Sequence, residues 1–156
     1  MDLTKLKTSI KKNEGLKLKP YECPNGKLTI GYGRNLQDNG ITLSEAEKLL
    51  ETDLLNLKLE LEDKIKFFHK LDPIRRNVLI EMAYNMGTPN LLEFKNTLKF
   101  MEKSDFINAS IEMLDSQWHR DFVNHDLKDG KRNNHGLLRS EYLSIVMKEG
   151  TYTWNI

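Results

Sequence analysis

Three residues near the start of the chain have side chains suited to moving a proton and activating a water. Glu14, Cys23 and Thr29 are separated by eight and by five residues. Six glycines and prolines (Gly15, Pro20, Pro24, Gly26, Gly31, Gly33) punctuate residues 15–34 around them. Glu14 precedes Gly15 at the end of a helical pattern and the start of an apolar strand. A carboxyl that is partly desolvated there has a raised pKa and suits proton donation. Thr29 comes close to Cys23 if the segment folds back on itself, and a hydroxyl there can hold a water. From spacing alone, plainer roles stand beside these. A Glu before Gly also serves as a cap or surface residue, and a Thr in a strand also serves as a β-former.

Cys23 carries the sharpest question. An unperturbed thiol has a pKa near about 8.5, so only about 3% is thiolate at pH 7. Nearby cations would lower that pKa, and Lys27 and Arg34 are the candidates. A thiolate could then act as a base or attack carbon as a nucleophile. The alternative is a small buried filler, with Glu14 working with Thr29 and a water. Glu22 is a possible substitute carboxylate, but adjacent strand residues point to opposite faces, so Glu22 and Cys23 cannot share one.

The elements around these residues read as follows. Residues 2–13 predict a short helix with Leu3, Leu6 and Ile10 on one face. "LKLKPYEC" and "KLTIGYG" read as extended pieces joined by the turn signal "CPNGK". Leu16 and Leu18 alternate with Lys17 and Lys19, the period of a half-buried strand. Thr42 and Glu45 form a capping box at the head of one long helix, about 44–68. "DPIRRNVLIEMAYNMG" is a helix with Pro73 at its start and Gly87 past its end. Further helices are expected at about 91–102, 105–115 and 136–148, with a polar loop over 124–136. Strands gather at one end and helices elsewhere, so the fold class is α+β.

Composition sets the outer limits. With 156 residues, 30% charged and 38% hydrophobic, the chain reads as soluble and globular, one domain or two small lobes sharing a helix. One cysteine excludes an internal disulfide, which fits a reducing cytoplasm. No stretch reads as a signal peptide or a membrane span. The net charge of +1 hides an asymmetry: residues 1–34 hold eight Lys/Arg and three acids, +5, leaving −4 for the rest. A basic face suits nucleic acid or an anionic wall polymer, or is a solvated helix. Basic residues are not interleaved with aromatics as in single-strand binders. The four histidines (His69, His119, His125, His135) form no HExxH and no i, i+4 pair, so no metal is expected. Trp118 and Trp154 are expected to pack rather than to form sugar platforms.

"NEGLKLKPYECPNGKLTIGYG" resembles the active-site segment of the phage-type lysozymes, the T4-lysozyme-like endolysins (glycoside hydrolase family 24). Their motif is Glu, eight residues, Asp or Cys, five residues, Thr. "ITLSEAEKLLETDL" resembles the start of the family's long helix, and "IRRNVLIEMAYNMG" with "FKNTLKFM" its central helices. "MLDSQWHRDF" and "GLLRSEYL" resemble its late helices. The similarity covers nearly the whole chain. Between "GYGRNLQ" and "ITLSEAE" the chain is shorter than the family's longer members, as if a short helical excursion were missing.

The resemblance implies a lysozyme-like fold: an N-terminal lobe of about 12–43, a connecting helix of about 44–68 and a helical lobe of about 69–156. The N-terminal helix would pack on the helical lobe. It implies hydrolysis of peptidoglycan at the β-1,4 bond between N-acetylmuramic acid and N-acetylglucosamine, without metal or organic cofactor. Glu14 would protonate the leaving oxygen, residue 23 would assist a water on the opposite face, and Thr29 would position that water. Asn85, Tyr32 and Arg139 are the implied substrate-binding residues; Asn85 has a helix cap as its alternative. Arg139 is also the implied basic partner of Glu14, and Arg34 would pair with Asp53. The implied partner is peptidoglycan alone, met by a monomer without nucleic acid or stable membrane anchor. The implied location is the host cytoplasm until lysis, then the periplasm and wall, reached through a lesion made by a separate protein.

Overall fold

A computed structural model describes residues 2–129, 132 and 135–152, without the side chains of 126–129. Trp154 lies outside the described residues. The chain forms two compact units, Met1–Leu50 and Glu51–Ile156. The boundary falls inside one helix.

The first unit opens with helix α1, Leu3–Glu14. Asp2 caps it, accepting from the backbone N–H of Thr4 and Lys5. Lys11 and Lys12 lie in its last turn, where positive charge suits the helix dipole, and Gly15 (φ 69°) ends it. Three antiparallel strands follow in the order β1 (Lys17–Glu22), β2 (Leu28–Gly31), β3 (Arg34–Asn35). Tyr21 pairs with Thr29 and Glu22 with Leu28, and a bulge interrupts the register between Lys17 and Tyr21. Pro20 sits within that bulge on an edge strand, the one place in a sheet where a missing N–H is tolerated.

The expected half-burial of β1 is not found. Leu18 is 79% exposed and Leu16 is exposed as well. Alternation predicts which residues share a face, not that something covers it. Helix α2 (Leu36–Asn39) follows β3, so the stretch expected to lack a helical excursion holds a single turn of one. Asn35 caps it through the Asp38 N–H.

Helix α3 runs Leu43–Lys64, ending four residues earlier than expected, and Phe68 falls instead in a 3-10 turn, Phe68–Lys70. Its capping box is present: Glu45 N–H donates to the Thr42 hydroxyl, and Thr42 N–H to the Glu45 carboxylate.

The second unit holds the apolar core. Helix α4 (Pro73–Met86) has Asp72 as cap, Pro73 at its first position and Gly87 at its end, as the sequence predicts. Helices α5 (Thr88–Leu92), α6 (Lys95–Glu102), α7 (Phe106–Leu114), α8 (Gln117–Asp129) and α9 (Arg139–Glu149) complete the unit. The helix expected over 91–102 is thus two, broken at Glu93 and Phe94. The polar stretch from 124 onward is helical as far as Asp129, and α9 begins three residues later than expected. Leu61, Phe68, Leu79, Met82, Leu91, Met113, Leu143 and Met147 are the buried centre. Burying each such side chain favours folding by about 1.5–3 kcal/mol before chain entropy is counted.

Candidate active site

Glu14 is the last residue of α1, and its side chain is exposed. Its carboxylate lies over Gly33 in the turn between β2 and β3. A Cβ built on Gly33 would come within 2.9 Å of Oε2. Tyr32 in the same turn is exposed, with the Lys11 ammonium 5.2 Å from its ring centroid.

Cys23 follows β1 directly. Its backbone N–H donates to the Lys27 carbonyl at 3.0 Å, and the Gly26 N–H donates to the Cys23 carbonyl at 2.8 Å. Those two bonds close the tight turn that "CPNGK" predicts, with Gly26 at φ 73°. The pairs Tyr21–Thr29 and Glu22–Leu28 extend to Cys23–Lys27, so Cys23 and Thr29 belong to one face and Glu22 to the other. Glu22 accordingly lies over Gly26 on the turn's far side.

The turn turns its amides onto the sulfur. The N–H of Lys27, then that of Asn25, lower the thiol pKa from its ordinary value. Desolvation opposes them, and the residue's own amide adds to the lowering. The expected cations do something else. Lys27 Nζ pairs with Asp38 at 3.1 Å. Arg34 donates to the Gly40 carbonyl at 3.1 Å and pairs with Glu45, so the carboxylate that holds Arg34 is that of the capping box rather than Asp53. Glu45 itself is held below the usual carboxylate range, first by the Thr42 amide and hydroxyl and then by Arg34. Thr29 is the one buried residue among those described in this unit, 3% exposed, and its hydroxyl donates to the Lys27 carbonyl at 2.9 Å. What Thr29 offers a water is therefore its oxygen lone pairs rather than its proton.

The other candidates lie in the second unit. Asn85 does not cap α4; Gly87 does, through a bond to the Ala83 carbonyl. Asn85 Oδ1 instead accepts from Trp118 Nε1 at 2.7 Å. Indole nitrogen only donates, so this bond fixes the amide's orientation and leaves its N–H end available to a ligand. Trp118 is 8% exposed and packs edge-on against Phe94 and Phe122, the packing role expected of it. Arg139 opens α9, and its Nε donates to Glu81 at 2.9 Å, a carboxylate of its own unit. His119 Nδ1 is 2.8 Å from the buried Ser140 hydroxyl. Among the described residues no three His, Cys, Asp or Glu come together as a metal site.

The sequence reading brought Glu14, Cys23 and Thr29 into one small unit, and they are there. It missed three things: the amides on the sulfur, Glu81 against Arg139, and Gly33 beneath Glu14. Only the last had a signal, the repeated glycine of "GYG".

Comparison with known proteins gives a consistent answer. Residues 11–140 match the model of the phage lysozyme family. The chain is 30% identical to the probable T4-type lysozyme 1 of Dictyostelium discoideum, over 78% of this chain and 89% of that protein. It is 31% identical to an endolysin of Acyrthosiphon pisum secondary endosymbiont phage 1, over 74% and 77%. It is 27% identical to the pre-baseplate central spike protein Gp5 of Enterobacteria phage T4, over 71% of this chain but 24% of that protein.

Proposed function

The chain belongs to the phage lysozyme family and is a glycoside hydrolase of the lysozyme type, acting on peptidoglycan; on that premise we propose the bond it cuts and the groups that cut it. The bond is the β-1,4 linkage between N-acetylmuramic acid and N-acetylglucosamine. Glu14 donates its proton to the leaving glycosidic oxygen. The Cys23 thiolate takes a proton from a water that attacks the anomeric carbon from the opposite face, and Thr29 lone pairs help hold that water. Two protons move and both are accounted for, so neither a metal nor an organic cofactor is required.

The observation that carries this reading is the set of donors around Cys23. Two-carboxylate glycosidases place an anion opposite the acid. A thiol does not supply one at neutral pH unless something stabilises its anion. The Lys27 and Asn25 amides lower the Cys23 pKa from its ordinary value. In the second unit, the Asn85 amide N–H groups and the Arg139 guanidinium are the proposed glycan contacts, with the exposed Tyr32 ring in the first.

The endolysin among the relatives supports a role in host-cell lysis. No helix among the described residues is long and apolar enough to cross a membrane. We place the enzyme, as a monomer without stable membrane anchor, in the host cytoplasm until a separate protein opens the membrane, and then at the wall.

Turbidity loss of permeabilised Gram-negative cells tests the acid. Wild type clears them, and Glu14→Gln slows clearing by about 10²–10⁴-fold, the range for loss of a general acid. Its thermal unfolding stays within a degree or two, because Glu14 is exposed. Clearing by Glu14→Gln at the wild-type rate overturns the mechanism.

A further inference from the structure

The geometry points to Gly33 as the residue that positions the Glu14 carboxylate, a role that rests on Glu14 being the acid. Two glycines flank Tyr32, and both require a positive φ: Gly31 at 69° and Gly33 at 78°. Backbone conformation alone would explain both. Their surroundings differ. A Cβ at Gly31 would meet nothing within 4 Å. A Cβ at Gly33 would sit 2.9 Å from Glu14 Oε2, 3.4 Å from Cδ and 3.7 Å from Cγ. Carbon and oxygen do not approach that closely without repulsion, so one of them must move.

The one that moves is Glu14. Gly33 is fixed by its position between β2 and β3, whose ladder pairs Ile30 with Arg34 and Thr29 with Asn35. Glu14 is the exposed end of a flexible side chain at a helix terminus. A methyl group at position 33 is therefore accommodated by swinging the carboxylate off its place, with the sheet left standing. The bare backbone of Gly33 acts as a floor on which the carboxylate rests. Because no other side chain is that small, position 33 sets where the proton donor sits.

Displacing a catalytic group by about 1 Å lowers the rate by about 10²-fold. Gly31→Ala is the control, since it carries the same backbone strain without the contact. Purified wild type, Gly31→Ala, Gly33→Ala, Glu14→Gln, Glu14→Asp and Glu14→Asp/Gly33→Ala are compared for kcat and KM on soluble peptidoglycan fragments, with thermal unfolding in parallel. Gly33→Ala is expected to lose about 10²-fold in kcat with KM within about threefold. Gly31→Ala is expected to unfold at a similar temperature to Gly33→Ala but to keep kcat within about threefold of wild type. The shorter Glu14→Asp side chain already withdraws from Gly33, so adding Gly33→Ala to it should cost less than threefold further. That non-additivity marks a direct contact.

Equal kcat for Gly31→Ala and Gly33→Ala, with Glu14→Gln inactive, overturns the positioning role and leaves Glu14 as the acid. An active Glu14→Gln overturns the reading on which both rest. Should Gly33→Ala unfold at the assay temperature, a lower temperature is used. The kcat comparison is then made below the lower of the two unfolding temperatures, with the same expected ratios. Equal kcat there for Gly31→Ala and Gly33→Ala overturns the contact.

Discussion

The first unit holds the proposed acid and base and almost nothing buried; the second holds the core. Among the described residues up to Leu50, Thr29 alone is buried. From Leu61 onward a cluster of apolar side chains is closed to water. The two achieve order by different means. In the second unit, position follows from packing, where one methylene is felt. In the first it follows from the backbone: a capped helix, a tight turn, five positive-φ glycines and a three-stranded ladder. Backbone devices suit a site whose proposed acid and base, Glu14 and Cys23, must stay open to a polymeric substrate. They also fix atoms that packing cannot address, such as the amides around the Cys23 sulfur.

That contrast can be broken by a core substitution. Leu79→Ala removes a fully buried side chain of α4 and is expected to cost about 2–5 kcal/mol of unfolding free energy. Measured well below its lowered Tm, kcat per folded molecule should stay within twofold of wild type. A tenfold fall in kcat while circular dichroism still shows native structure would mean that the core shapes the chemistry directly.

A smaller effect sharpens the comparison through one pH-sensitive helix cap of the second unit. Asp72 caps α4. Burial tends to raise its pKa, but Arg75, through side-chain and backbone bonds and its charge, prevails and holds the carboxyl below the usual range. A folded-state pKa below the unfolded one contributes stability that is present above the unfolded value, about 3.9, and is lost as pH falls through the folded one. Asp72→Ala is expected to cost about 1 kcal/mol at pH 7. Its deficit against wild type should shrink as pH falls below about 4. Thermal unfolding at pH 7, 5, 4 and 3 measures it, and a deficit that grows toward acid would contradict the assignment.

Much of this was legible in the sequence where residue type dictates backbone geometry. Thr42 with Glu45, Pro73 with Gly87, and "CPNGK" each specify a local arrangement that the structure contains. Glu14, Cys23 and Thr29, the proposed catalytic residues, were picked out because their spacing resembles that of the phage-type lysozymes. The misses are of another kind. Helix α8 carries Trp118 and Phe122 amid polar residues, so periodicity alone read its second half as a loop. The half-burial expected of Leu18 needs a covering surface that no pattern within β1 can reveal. The source of the Cys23 shift was misassigned because charges are written in side chains, whereas the direction of an amide is not. Lys27 contributes through its main chain, while its ammonium is engaged by Asp38.

The central claim is that a thiolate held by backbone amides does the work of a carboxylate opposite Glu14. The most direct test is the lytic kcat of Cys23→Asp against Cys23→Ser, both checked for native unfolding temperature. Asp restores an anion at that position, and Ser keeps the size of the side chain while removing any ionisable group. The account predicts that Cys23→Asp stays within about tenfold of wild type and that Cys23→Ser falls by about 10²-fold or more. A fully active Cys23→Ser would show that no anion is needed there, and that Cys23 is a filler beside an acid working with Thr29 and water alone.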